Sequence, residues 1–261
     1  MVSAMANKIL LLLIGLTAAL SLTGCPDGGD GSSGPTSLAS SGNVVYLADQ
    51  NTDGVFELFL TSTGAKLNGP LVPGGNVISF ALTPDKSAVV YIADQTIDEV
   101  FELYQVNIAA PGVSVKLNGN LVLGGDVTNF AVTPDGSSVV YLADQRIDQV
   151  FELFRVLFST PQASTLLNPA LTAGRTVTQF AVTPDSTKVV YIANQDTNNV
   201  NELYQVAFAG PLFSQKLNAP LVAGGNVTDF AVTPNSVSVV YLADLRLDQV
   251  FEIFLSPITG P

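Results

Sequence analysis

The sequence predicts an all-β protein, a β-propeller of about five four-stranded blades with incomplete blades at both ends. Three observations predict it. An apolar run of the type Val-Val-Tyr-x-Ala starts at Val44, Val89, Val139, Val189 and Val239. Its tyrosines, Tyr46, Tyr91, Tyr141, Tyr191 and Tyr241, are spaced by 45 residues and then by 50. A Thr-Pro-Asp or Thr-Pro-Asn turn recurs at 83, 133, 183 and 233. Short strands on a period of about 50 residues are the mark of a radial repeat.

The third unit shows how one repeat divides. A first strand is expected at Val127–Val132, with counterparts starting at Val77, Val177 and Val227. It ends in Thr133-Pro134-Asp135-Gly136, where proline presets the turn dihedral and Asp-Gly closes it. A second strand, Val139–Ala143, is almost wholly apolar, as a strand buried on both faces must be. A third, Val150–Val156, alternates Phe151 and Leu153 with Glu152 and Phe154. A fourth is expected near Leu166–Leu171, and reads Lys-Leu-Asn-Gly-Pro-Leu-Val at 66–72 in the first unit. Gly-Gly pairs at 74–75, 124–125 and 224–225 then turn the chain toward the next unit. The second and third strands occur five times and the other two four times, giving eighteen strands. The first unit lacks an innermost strand and the fifth an outermost one, so closure of the ring does not follow from the count.

The chain of 261 residues is 47% hydrophobic, which suits a buried core. Its 22 acidic and 10 basic residues give a formal charge of -12, the wrong sign for binding nucleic acid. There is no histidine, so a Ser-His-Asp or Cys-His site cannot form within this chain. A single cysteine excludes an intrachain disulfide. No catalytic set emerges, and the chain is expected not to be an enzyme.

Residues 1–24 read as a signal peptide, with Lys8 as the positive end and Ile9–Leu22 as an apolar stretch too short to span a bilayer. The segment ends Leu22-Thr23-Gly24-Cys25, which resembles a bacterial lipobox. The resemblance implies cleavage before Cys25 and lipidation of that residue, hence a membrane anchor in the bacterial cell envelope, facing the periplasm or the exterior. Residues 25–42 form the lipid attachment and a Gly/Ser/Asp tether, with a root-mean-square reach of about 23 Å. Residues 43–261 form the propeller.

At Phe130-Ala131-Val132-Thr133-Pro134-Asp135-Gly136, followed by Val139-Val140-Tyr141-Leu142-Ala143-Asp144 and Phe151-Glu152-Leu153-Phe154, the repeat resembles PD40. That repeat builds the propeller of TolB-like proteins. The resemblance implies a propeller over 43–261. It departs from the pattern in its longer period and in carrying a lipobox.

The hairpins between second and third strands hold the recurrent polar cluster. In the first unit Asp49, Asn51, Asp53 and Gly54 occupy positions 1, 3, 5 and 6 of a calcium-type loop, with Glu57 at position 9. This resembles the calcium hairpins of integrin-type propellers, and calcium is the one cofactor the pattern admits. Plain turn chemistry accounts for the same residues, since Asp and Asn bond their own backbone. In units three and five Arg146 and Arg246 stand at position 3, where ion pairing with Asp144/Asp148 and Asp244/Asp248 replaces a metal. The glutamates Glu57, Glu102, Glu152, Glu202 and Glu252 recur once per unit, and Lys66, Lys116 and Lys216 stand where they can pair with them. Asp94, Asp98, Asp144, Asp148, Asp244 and Asp248 are expected to gather at one end of the ring as an acidic binding face for an envelope protein or a glycan. Two other functional classes stay open: a calcium-stabilised adhesive or structural propeller, and a non-catalytic remnant or gating propeller of a hydrolase.

Overall fold

The computed structural model describes residues 44–210 and 212–260; the expected signal peptide, Cys25 and tether lie outside the described residues. The described chain contains seventeen β-strands and no helix. The first blade has β1 (Val45–Ala48) and β2 (Glu57–Leu60), with Lys66 bridging to Phe59. Blade two has β3 (Val77–Leu82), β4 (Ala88–Ala93), β5 (Glu102–Asn107) and β6 (Ser114–Lys116). Blade three has β7 (Val127–Val132), β8 (Ser138–Ala143), β9 (Glu152–Leu157) and β10 (Thr165–Leu166). Blade four has β11 (Val177–Val182), β12 (Lys188–Thr197), β13 (Val200–Ala207) and β14 (Gln215–Lys216). Blade five has only β15 (Val227–Val232), β16 (Ser238–Ala243) and β17 (Glu252–Pro257). Every pairing is antiparallel and joins strands consecutive in sequence, as a meander.

The fourth strand is shorter than expected, two or three residues rather than six, and in the first unit it shrinks to one bridge. The cause is an asparagine. Leu167 N–H still donates to Leu153 O, but the return bond from Leu153 N–H goes to the Asn168 side chain at 2.7 Å. Asn68, Asn118 and Asn218 do the same for Leu58, Leu103 and Leu203. A side-chain carbonyl thus replaces the backbone one, and the chain leaves the sheet without orphaning a buried donor. In blade three the third strand also starts later than expected, at Glu152 rather than Val150, whereas in blade four it starts at Val200. Phe151 turns its backbone to the next blade instead, and Val177 N–H donates to Phe151 O at 2.9 Å.

The second strands fill the blade-to-blade seams with both faces, which explains their unbroken apolar sequence. In β8, Val140 and Leu142 join the cluster shared with Tyr191, Tyr204 and Val189 of blade four. Val139 and Tyr141 point the other way, into the cluster shared with Val90, Ile92 and Leu103 of blade two. Each seam therefore packs an aliphatic face on an aromatic one, and within the aromatic face the rings of Tyr141 and Phe154 stack at 5.5 Å. Burying side chains of this size is worth about 1.5–3 kcal/mol each. The tyrosine hydroxyl stays satisfied, because Tyr141 Oη bonds Gln145 and Ser164, the residue that precedes β10. Burial pushes the Tyr141 hydroxyl up to about 12.

The Thr-Pro turns add a second link between blades. Ser186 and Ser236 adopt left-handed backbone, at φ 59°, and their hydroxyls accept from Asp135 N–H and Asp185 N–H of the preceding turns. Blade five ends the series differently. Ile253 and Leu255 are 76% and 68% exposed, whereas Leu203, the counterpart of Ile253, is 0% exposed. No described blade covers this last aliphatic face.

The seam assigns unequal roles to the two parts of each tyrosine. Tyr141→Phe, which keeps the ring and loses the hydroxyl bonds, is expected to lower unfolding free energy by about 1 kcal/mol. Tyr141→Ala, which opens the seam, is expected to cost about 3–5 kcal/mol. Urea unfolding of both variants measures the split.

Candidate functional site

The polar hairpins lie where each second strand passes into the third, and their first carboxylate is not at the surface. Asp94, Asp144 and Asp244 are buried. One oxygen of Asp144 accepts from Asp126 N–H at 2.6 Å, at the start of the innermost strand, and the other from Gln149 N–H at 2.8 Å, across the hairpin. Asp94 accepts from Asn76 and Glu99, and Asp244 from Asn226 and Gln249. Glu99, Gln149 and Gln249 all have left-handed backbone, at φ 63°, 62° and 65°, and a charge-assisted bond holds each there. These three aspartates were expected on an exposed acidic face; the structure instead buries them and spends both oxygens of each on backbone N–H donors. Asn194 takes the same place in blade four, accepting from Thr176 N–H and donating to Gly174 O. In the first unit no described innermost strand reaches Asp49, which is half-exposed and accepts from Gly54 N–H at 3.3 Å.

The second set of acids is exposed. Asp98, Asp148 and Asp248 stand at the hairpin tips, each beside an exposed aliphatic residue, Ile97, Ile147 or Leu247. Their carboxylates sit over Gly74, Gly124 and Gly224, whose φ of 93°, 82° and 88° lies in the left-handed region. A Cβ at Gly74 would come within 2.4 Å of the Asp98 carboxylate, so the glycines give these acids both turn geometry and room. Asn198 is the blade-four counterpart, over Gly174. The rim is therefore one acid or amide per blade in blades two to five.

The third-strand glutamates form a separate, neutralised layer. Lys66 reaches Glu57 at 2.8 Å, Lys116 bonds Glu102, and Lys216 reaches Glu202 at 2.7 Å. In blade three no lysine occupies the fourth strand, and Arg146 from the hairpin pairs with Glu152 at 3.0 Å. In blade five Arg246 reaches Glu252 at 3.4 Å. The arginines thus serve the glutamates rather than the aspartates that sequence spacing placed beside them. The hairpin is compact enough to fold position 3 back over the third strand, a distance that no sequence interval displays.

The calcium expectation meets the same chemistry. In the first unit the Glu57 oxygens are taken by the Lys66 ammonium and by the Asn51 amide at 3.3 Å, and Asp53 is exposed. Among the described residues no three His, Cys, Asp or Glu side chains converge as metal ligands. Asp49, Asn51, Asp53 and Glu57 as arranged do not make a calcium site, because a lysine already supplies the positive charge.

Local charge reads out as shifted titration. Burial disfavours the Asp244 carboxylate, yet the Asn226 and Gln249 N–H groups hold it below its usual 3.8. Burial also opposes ionisation of Glu102, and Lys116, Thr96 and Tyr104 together hold it below its usual 4.5. Asp126 moves the other way, raised by burial and by the neighbouring carboxylates of Asp144, Asp148 and Asp94. Asp85, in the exposed Thr-Pro turn, is held at about 2 by bonds from Thr83 and Ser87.

No protein-family model matches the sequence, and no curated protein matches it. Solved structures do. A protein of Agrobacterium tumefaciens assigned as TolB superimposes with a TM-score of 0.50 at 14% identity, over 80% of this chain and 78% of that one. An oligogalacturonate lyase of Vibrio parahaemolyticus gives 0.53 at 14% identity, over 82% of this chain and 59% of the lyase. Prolyl oligopeptidase B of Galerina marginata gives 0.56 at 12% identity, over 82% of this chain and 34% of the peptidase. At such identities the likeness speaks for the fold.

Two outcomes test the site's construction. Asp144→Ala removes both hydrogen bonds that clamp the Asp126 and Gln149 N–H groups and is expected to cost about 2–4 kcal/mol, whereas Asp144→Asn copies blade four and is expected to cost under about 1.5 kcal/mol, by chemical denaturation. The depressed carboxyls contribute stability that is present above their unfolded values and lost as pH falls through the folded ones. Asp126, with a raised value, contributes in the opposite sense. With Glu102, Asp244 and Asp85 on one side and Asp126 on the other, the melting temperature is expected to fall between pH 4.5 and about 2, as followed by circular dichroism.

The described chain has the β-propeller fold that these solved structures share.

Proposed function

We propose that the protein is a non-catalytic, lipid-anchored propeller of the bacterial cell envelope. It binds a protein or glycan partner through the acidic hairpin rim. The observation that carries this reading is the contrast between the two layers of acids. The glutamates are each matched to a lysine or arginine, whereas Asp98, Asp148 and Asp248 stand exposed, one per blade, beside an aliphatic residue. Repeated carboxylate–aliphatic pairs on rigid hairpins suit a partner with basic groups set among apolar ones. The Leu22-Thr23-Gly24-Cys25 sequence supports attachment through Cys25. The absence of histidine from the sequence supports a non-catalytic role.

The test is capture from solubilised envelope membranes, with wild type against an Asp98→Asn/Asp148→Asn/Asp248→Asn triple variant. The variant is expected to lose the salt-sensitive partner and to keep its melting temperature. Equal capture by both chains would overturn the rim as the binding face. Cys25→Ser is expected to shift the protein from the membrane to the soluble fraction.

A further inference from the structure

In blades two to four the outer edge of the third strand is covered by a fourth, through one repeated set of contacts. In blade three, Ser164 bonds the Tyr141 hydroxyl, Leu166 lies opposite Phe154, Leu167 donates to Leu153 O, and Asn168 accepts from Leu153 N–H. Leu171 N–H then closes on Glu152 at 2.7 Å. In blade five no described strand pairs with β17 on that side. A groove of ≈ 410 Å³ runs there instead, lined by Leu217, Pro220, Tyr241, Arg246, Phe254 and Leu255 among others. Glu252 is 39% exposed, whereas Glu152 is 0% exposed beneath its own fourth strand.

We infer that this open edge docks an extended segment of a partner polypeptide, as a fourth strand, and that the groove selects a Ser-x-apolar-Leu-Asn pattern. The selection comes from the charge layer. Where the hairpin has Asn51, Thr96 or Asp196, the fourth strand brings Lys66, Lys116 or Lys216 to the glutamate. Where it has Arg146, the fourth strand has Leu166, because the glutamate already has its cation. Blade five has Arg246 on Glu252 and Phe254 at the ring position, which is the blade-three set. A lysine in the docked strand would meet Arg246, and an apolar residue would lie on Phe254. Strand addition supplies backbone bonds, and the alternate side chains supply the choice. This surface is the outer edge of one blade and is independent of the hairpin rim.

The test uses the full chain in detergent and a fluorescent peptide copying residues 162–172, Gln-Ala-Ser-Thr-Leu-Leu-Asn-Pro-Ala-Leu-Thr. Anisotropy is expected to show saturable binding, weakened about tenfold when the peptide carries Leu166→Lys. The preference is expected to invert on an Arg246→Asn protein. Hydrogen exchange at the Ile253 and Leu255 amides is expected to slow only when peptide is added. No saturable binding below about 1 mM peptide overturns the inference, as does equal affinity for both peptides. Protection of those amides without peptide overturns it too, since a second copy or another segment of the chain then occupies the edge. Peptide binding that survives the Asp98/Asp148/Asp248 triple variant separates this surface from the rim.

Discussion

A buried carboxylate, or its amide equivalent, ties the innermost strand of each of blades two to five to the hairpin that follows its second strand. Asp94, Asp144, Asn194 and Asp244 each take a backbone N–H from the start of the innermost strand. The three aspartates also take one from a left-handed residue across the hairpin. This one group fixes the entry of the blade, the register of its middle pair and the tight hairpin. Burying an unpaired carboxylate costs several kcal/mol, so the arrangement holds only with both oxygens matched. Once matched, it leaves the hairpin tip free to project Asp98, Asp148 or Asp248 outward on a rigid base.

The seams show the same economy in apolar form. An aliphatic face meets an aromatic face four times along the described chain, and the tyrosine hydroxyls bond to serines at or just before the fourth strand in blades two to four. Blade five departs from this at several positions together. Leu245 replaces the glutamine that caps the tyrosine elsewhere, Leu255 replaces Gln105, Arg155 or Gln205, and Val237 replaces Ser87, Ser137 or Thr187. Leu245 packs into the seam with blade four, whereas Leu255 and Val237 add exposed apolar surface. Exposed aliphatic surface of this kind marks interaction sites.

The charge layer explains how nearly identical repeats acquire different surfaces. A carboxylate beneath the fourth strand needs a cation, and either the fourth strand or the hairpin supplies it. Each solution changes what the neighbouring groups can accept. Glu102 and Glu202 also take a tyrosine hydroxyl, from Tyr104 and Tyr204, whereas the arginine blades carry Phe154 and Phe254 at that position. Repeats that differ by one exchanged cation thus present different grooves at their edges.

The sequence by itself determined the strands, their order and their inward faces, because period-two alternation and the Thr-Pro turns are local properties of the chain. Val140 and Val139 point to opposite seams wherever the blades sit. It also matched the glutamates with the lysines, since both recur in step. Only the tertiary structure decided which hairpin acids are buried. Asp49 and Asp144 begin nearly the same motif, yet among the described residues only Asp144 has an innermost strand to clamp. Spacing likewise put Arg146 with Asp144 and Asp148, and the fold of the turn gives it to Glu152 instead. The shortened fourth strand depended on Asn168 standing in for a backbone carbonyl, a substitution that becomes visible only once Leu153 lies beside it. Burial, and with it the charge a carboxylate must find, is a property of neighbours that the chain brings together from the adjoining strands and blades.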